Sequence, residues 1–163
     1  MSRCVIVSDT SPLHYLILIG AAELLPRITR EVLIPPAVAR ELADPSTPEE
    51  VRNWMSAPPA WLKLAAPHST DDSLGLDPGE TEAISLALER GILTILIDER
   101  KGFRVAAQRG LQPIGLLAVL EFAASNRWIS FEEHLSRLRN TTFRLNERLL
   151  AGIRERIDAR ASR

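Results

Sequence analysis

An α/β fold with a mainly parallel central sheet is predicted for this 163-residue chain by three features of its sequence. Short apolar runs alternate with stretches of helical period, Pro or small polar residues open several of those helices, and two of the runs close on a carboxylate. Strand signals separated by helices imply crossover connections, which make neighbouring strands parallel. Folds of this kind keep their chemistry at the carboxyl ends of the strands.

Taken in order, Cys4-Val-Ile-Val-Ser8 reads as a short buried strand. Ser11 serves as N-cap with Pro12 at the first helical position, opening a helix to about Ile19. A short helix covers about 21–26, Val32-Leu-Ile34 is a second strand, and Pro35-Pro36 opens a helix over 37–43 that ends before Asp44-Pro45. A helix over 48–56, a strand Trp61-Leu-Lys-Leu64 and a polar loop 66–77 follow. Asp77-Pro-Gly-Glu80 starts a helix that runs to Arg90 and stops at Gly91. A strand over 92–97, a helix about 100–109, a strand Pro113-Ile-Gly115 and a helix 116–124 continue the alternation. Two amphipathic helices, about 130–139 and 146–160, complete the chain.

The length suits a single domain over 1–163, with an Arg-rich helical extension from about 125, and 45% hydrophobic residues supply an aliphatic core. A net charge of -1 hides an asymmetry, because residues 127–163 hold nine Arg against five acids. Arg favours bidentate contacts to phosphate or carboxylate, although compositional bias gives the same excess. Cys4 is the only cysteine, so no intrachain disulfide forms and a reducing compartment is expected. Ser8-Asp-Thr-Ser-Pro12 interrupts the apolar stretch after Arg3, and Leu13 to Leu25 carries His14 and Glu23. Neither a secretory signal nor a membrane span fits, so the chain is expected to be soluble and cytoplasmic.

Four acids stand out. Asp9 ends the first strand; with Ser11 as the cap, its carboxylate is left over at the strand's carboxyl end. Asp98 ends Ile92-Leu-Thr-Ile-Leu-Ile97 in the same manner, and a carboxylate closing a buried strand is costly unless a cation satisfies it. Glu80 has capping-box spacing from Asp77, yet it also lies beside the apolar sector Ala83, Ile84, Ala87 and Leu88, while Glu82 and Glu89 fall on the opposite, solvated side. Glu41 rides beside Ala37, Val38 and Leu42, where a Glu commonly reaches for water. Thr10 and Ser11 offer hydroxyls near Asp9, and Glu99 is an outer or solvent-facing acid, since consecutive extended residues cannot both face one ion. His14, His68 and His134 show no zinc spacing with each other or with Cys4, and an oxygen-only cluster selects Mg²⁺ or Mn²⁺.

In combination, Ser8-Asp-Thr-Ser-Pro-Leu13, Glu41, Gly79-Glu80-Thr-Glu-Ala-Ile84 and Leu96-Ile-Asp-Glu-Arg-Lys-Gly102 resemble the PIN-domain ribonucleases, notably the VapC-type toxins of bacterial toxin–antitoxin pairs, and more narrowly a PIN-like prokaryotic subgroup. The resemblance spans roughly residues 3–120. It implies a three-layer α/β/α fold and metal-dependent hydrolysis of RNA. Asp9, Glu41, Glu80 and Asp98 would be the catalytic set. Asp9 and Asp98 would hold a first Mg²⁺ or Mn²⁺, Glu80 would bind it directly or through water, and Glu41 would orient the attacking water or hold a second ion. Arg100, Lys101 and Arg104 would track the phosphates, and a cognate antitoxin would cover the cleft. Two features depart from the pattern: Glu80 stands where many PIN domains carry Asp, and the Arg-rich extension lies outside the common core. A non-catalytic PIN-like module binding RNA or a protein is the alternative. An aspartyl-phosphate chemistry ranks below it, because Ser11 stands where a second Asp is needed. Apolar positions after 116 could form a homodimer face, and core packing explains them equally well.

Overall fold

The structure is a computed structural model that describes residues 4–163; Arg3, at the start of the resemblance, lies outside them. Five strands form one sheet: β1 (Val5–Ser8), β2 (Glu31–Ile34), β3 (Leu62–Leu64), β4 (Thr94–Leu96) and β5 (Gln112–Ile114). Their order is β3-β2-β1-β4-β5 and every pairing is parallel. The helices are α1 (Thr10–Leu18), α2 (Leu25–Ile28), α3 (Pro36–Leu42), α4 (Glu49–Ser56), α5 (Pro78–Arg90), α6 (Arg100–Gln108), α7 (Leu116–Ser125), α8 (Phe131–Arg139) and α9 (Glu147–Ala161). Single 3-10 turns occupy Ala22–Leu24 and Asp72–Leu74. The arrangement is the three-layer α/β/α fold expected from the sequence.

Strand burial follows position in the sheet. The inner strands β1 and β2 are apolar almost throughout, as parallel strands covered on both faces must be. At the edges, β3 leaves Lys63 and Leu64 exposed and β5 carries Pro113, which an outer strand tolerates because it owes no amide to a further neighbour. Val7, Leu33, Ile84, Leu86, Ala87, Ile95 and Ile97 pack between sheet and helices. At about 25 cal/mol per Å² of apolar surface removed from water, such aliphatic side chains contribute roughly 1.5–3 kcal/mol each.

Two local expectations change. Helix α1 begins at Thr10 rather than after Ser11, so Asp9 occupies the N-cap position, and its side chain makes no capping hydrogen bond. Pro12 then falls in the first turn, where its missing N–H costs nothing. In α5, Leu88 is exposed while Leu86 is fully buried. The helix packs against α3 as well as β1 and β4, so a two-sided reading of its periodicity misassigns the flanks.

The chain divides into two compact units, Met1–Leu116, which carries the sheet, and Leu117–Arg163. In the second unit, Ser130 and Asn146 cap α8 and α9 through their side chains. Much of its Arg excess is spent internally: Arg137 pairs with Glu133, Arg139 with Glu147, Arg154 with Glu132 and Arg156 with Glu121. Among the described residues no helix is long and apolar enough to cross a membrane.

Candidate active site

The sheet order reverses at β1, whose neighbours β2 and β4 lead to opposite edges. A crevice opens beyond the strand ends at such a point. Asp9 leaves β1 there, and its amide donates to the Leu96 carbonyl of β4 at 2.8 Å, which ties the two strand ends together. The Ser8 hydroxyl donates to the Asp9 carbonyl at 2.8 Å. Asp9 is 4% exposed, and burial pushes its carboxyl up to about 7; Thr10 draws it back through a backbone hydrogen bond, and the negative charges of Asp77, Glu41 and Asp98 add to the rise.

Glu80 enters from the first turn of α5. Its amide donates to the Asp77 carboxylate at 2.8 Å, so the capping half of the expected box is present. The Glu80 side chain does not return to complete the box at the Asp77 amide. It is 4% exposed, its Oε2 is buried with no hydrogen-bond partner, and it lies against Gly102 in the first turn of α6. Burial pushes its carboxyl up to about 8, aided by a hydrogen bond with the Asp77 carboxyl and by the charges of Asp77, Asp9 and Glu99. Asp77 is thus a member of the acid cluster that local sequence reading assigns only to helix capping.

Asp98 follows β4. Its Oδ1 accepts the Leu116 amide at 3.1 Å and lies against Gly115, while Oδ2 is buried without a partner. Burial raises this carboxyl to about 6, moderated by the Leu116 hydrogen bond. Glu41 comes from α3. Its carboxylate and that of Asp9 meet at Gly79, where an added Cβ would stand 2.8 Å from Glu41 Oε1 and 3.3 Å from Asp9 Oδ1. Three glycines therefore back the four acids, none of them with a positive φ, so space rather than backbone conformation calls for Gly.

The auxiliary candidates separate. Thr10 Oγ1 is buried and unpartnered beside Asp9, and Ser11 is half-buried. Glu99 is exposed at the N-cap of α6 but acts on Glu80 through its charge. Arg104 and Arg100 are exposed on α6, and Lys101 donates to the Gly75 carbonyl at 2.6 Å. Glu82 corrects the expectation of a solvated acid. Its side chain is 18% exposed, accepts the Ala37 amide at 3.0 Å and stands 3.7 Å from Arg40.

Carboxylates crowded out of water without cations among the groups that shift them are suited to a hard divalent ion. The unpartnered Glu80 Oε2 and Asp98 Oδ2 suit such an ion, and the glycines make room for the carboxylates that would hold it. Among the described residues, no three His, Cys, Asp or Glu side chains form a ready-made coordination shell, so closing one requires carboxylates to turn toward a common point.

The raised carboxyls give a stability signature. The metal-free fold holds protons that the unfolded chain releases near 3.8 to 4.5, so the stability they contribute is full below that range and is lost as pH rises through about 6 to 8. His14, held below 6.5 by burial, acts in the opposite sense in more acid solution. Between pH 6.5 and 8.5 the melting temperature in EDTA should fall as pH rises. Added Mn²⁺ should oppose the fall, since it competes with protons for the carboxylates. Differential scanning fluorimetry measures both, and an EDTA profile that rises with pH would contradict the assigned protonation.

Acids from β1, α3, α5 and the end of β4 gathered at the carboxyl edge of this sheet define a PIN-type, nuclease-type fold. A family model described as a PIN domain matches residues 5–159, and the chain belongs to that family, DUF3368. The match continues well past residue 120 and covers most of the Arg-rich segment. No curated protein matches the chain.

Proposed function

We propose that this chain is a divalent-metal-dependent endoribonuclease that hydrolyses RNA phosphodiester bonds, acting in the cytoplasm as the toxin of a toxin–antitoxin pair. The observation that carries the reading is the burial of Asp9, Glu80 and Asp98, from three separate elements, with carboxyls raised to about 7, 8 and 6. A stable fold has no need to crowd acids in this way, whereas a site that concentrates charge for catalysis does.

Asp9, Asp98 and Glu80 would hold Mg²⁺ or Mn²⁺. When bound, the ion would supply Lewis-acid charge to the scissile phosphate and to the attacking water. Glu41, less buried than Asp9 and Glu80, would orient that water and take its proton. Attack in line with the leaving oxygen forms one P–O bond and breaks the other, and the leaving oxygen takes up a proton. Arg100 and Arg104, exposed on α6, offer charge to the phosphates on either side.

A non-catalytic PIN-like module is the second reading, favoured because among the described residues no three His, Cys, Asp or Glu side chains stand as a ready-made metal shell. The internal pairing of four Arg in α8 and α9 weakens its form in which the C-terminal helices grip RNA. Incubation with structured and single-stranded RNA in Mn²⁺, Mg²⁺ or EDTA separates the two. Cleavage with Mn²⁺ that ceases in EDTA supports the enzyme; metal-independent binding without cleavage supports the module.

A further inference from the structure

Helix α3 cannot cap itself. Pro35 precedes it with no side-chain acceptor, Pro36 has no amide, and the first amide that needs a partner belongs to Ala37. That partner comes from another helix: Glu82 Oε1 of α5 accepts it at 3.0 Å, with Ala37 only 3% exposed. Ala37 and Glu41 are four residues apart, hence on one face of α3, and Gly79 and Glu82 are three apart, hence on one face of α5. The two faces meet at two points one turn apart, Ala37 on Glu82 and Glu41 on Gly79. At its far end α3 is tied again, with the Thr47 hydroxyl donating to the Glu41 carbonyl at 2.7 Å.

We propose that Glu82 is a positioning residue for catalysis: by capping α3 from α5 it sets the height and rotation of α3, and so fixes where the Glu41 carboxylate stands in the acid cluster. Arg40, 71% exposed and 3.7 Å away, adds little, because an exposed ion pair of that length is screened. The acceptor oxygen matters and the charge does not. Glu82→Gln keeps an acceptor and preserves the bracket, whereas Glu82→Ala leaves a buried amide unpaired and frees α3 to shift.

The catalytic readout rests on the nuclease reading above; the structural readout does not. In RNA cleavage with Mn²⁺, Glu82→Ala should lose roughly 10–100-fold in kcat, the range typical of residues that orient a ligand, with Mn²⁺ affinity by titration calorimetry changed less than about 3-fold because other acids hold the ion, and Glu82→Gln should lose less than about 3-fold in kcat. In a Glu41→Gln background, Glu82→Ala should cause no further loss, because the residue through which it acts is already disabled. Equal losses in both backgrounds, or none in either, overturn the proposal. Hydrogen exchange at the Ala37 amide should accelerate at least 10-fold in Glu82→Ala and stay near the native rate in Glu82→Gln. A wild-type chain that neither binds Mn²⁺ nor cleaves RNA overturns the nuclease reading instead, and unchanged Ala37 exchange in Glu82→Ala then overturns the bracket on its own.

Discussion

Asp9→Asn is expected to reduce metal-dependent RNA cleavage by more than ~100-fold, beyond the usual cost of disturbing residues around a metal ligand, while making the metal-free protein more stable. The two effects share one cause. Asp9 is 4% exposed, its carboxyl is raised to about 7, and the charges acting on it from Asp77, Glu41 and Asp98 have its own sign. Ionising it at pH 8 in the folded chain therefore costs free energy that ionising it in the unfolded chain does not. An amide of the same shape removes that cost, for an expected gain on the order of 1–3 kcal/mol in urea unfolding at pH 8 with EDTA. The gain should narrow by roughly 1 kcal/mol at pH 6, where the native carboxyl is largely protonated already. The reverse pattern, a variant that unfolds more readily yet still cleaves RNA at the native rate, would make Asp9 a structural acid. Few positions predict lost activity together with gained stability, and that pairing is characteristic of a site kept under electrostatic strain.

Much of this site could be read from sequence because its main signals are local. A buried apolar run that ends on an acid is complete within six or seven residues, and Asp9 and Asp98 both announce themselves that way. Elements were legible for the same reason, with strands and helices falling within a residue or two of their expected bounds. What could not be read depends on a second surface. Glu82 looks solvated on the periodicity of α5 alone, and only α3 packing beside it turns it inward. Asp77 is fully explained as a cap by its neighbours in sequence, so nothing local shows that its carboxyl also meets Glu80. Asp9 at the N-cap, rather than Ser11, reflects a competition that sequence cannot weigh: its carboxylate lies toward Glu41 and Gly79 and meets the Thr10 amide without making a capping hydrogen bond. Gly102 passed as an ordinary helix residue and Gly115 as the end of a strand, because the space a missing Cβ leaves belongs to whatever fills it.

Gly102→Ala should destabilise the protein, against the ordinary rule. Gly102 lies inside α6, where Ala normally improves a helix by roughly 1 kcal/mol. Its φ is unexceptional, so nothing in the backbone forbids the change. The obstacle is the Glu80 carboxylate, whose Oε2 occupies the place a Cβ would take, with Ile97 Cδ1 close on another side. Ile97 is fully buried and cannot retreat, so the carboxylate must. Overpacking of this kind costs roughly 1–3 kcal/mol, enough to outweigh the helix gain and reverse its sign. Displacing Glu80 from its cradle should also weaken Mn²⁺ binding by at least ~10-fold, a loss that Gly91→Ala, at a left-handed helix end with nothing within 4 Å, should not share even though it too is destabilised. Urea unfolding and Mn²⁺ titration on the two variants test the cradle directly. Higher stability with native Mn²⁺ affinity in Gly102→Ala would mean that Glu80 has room to move and that its burial against α6 does not set the site.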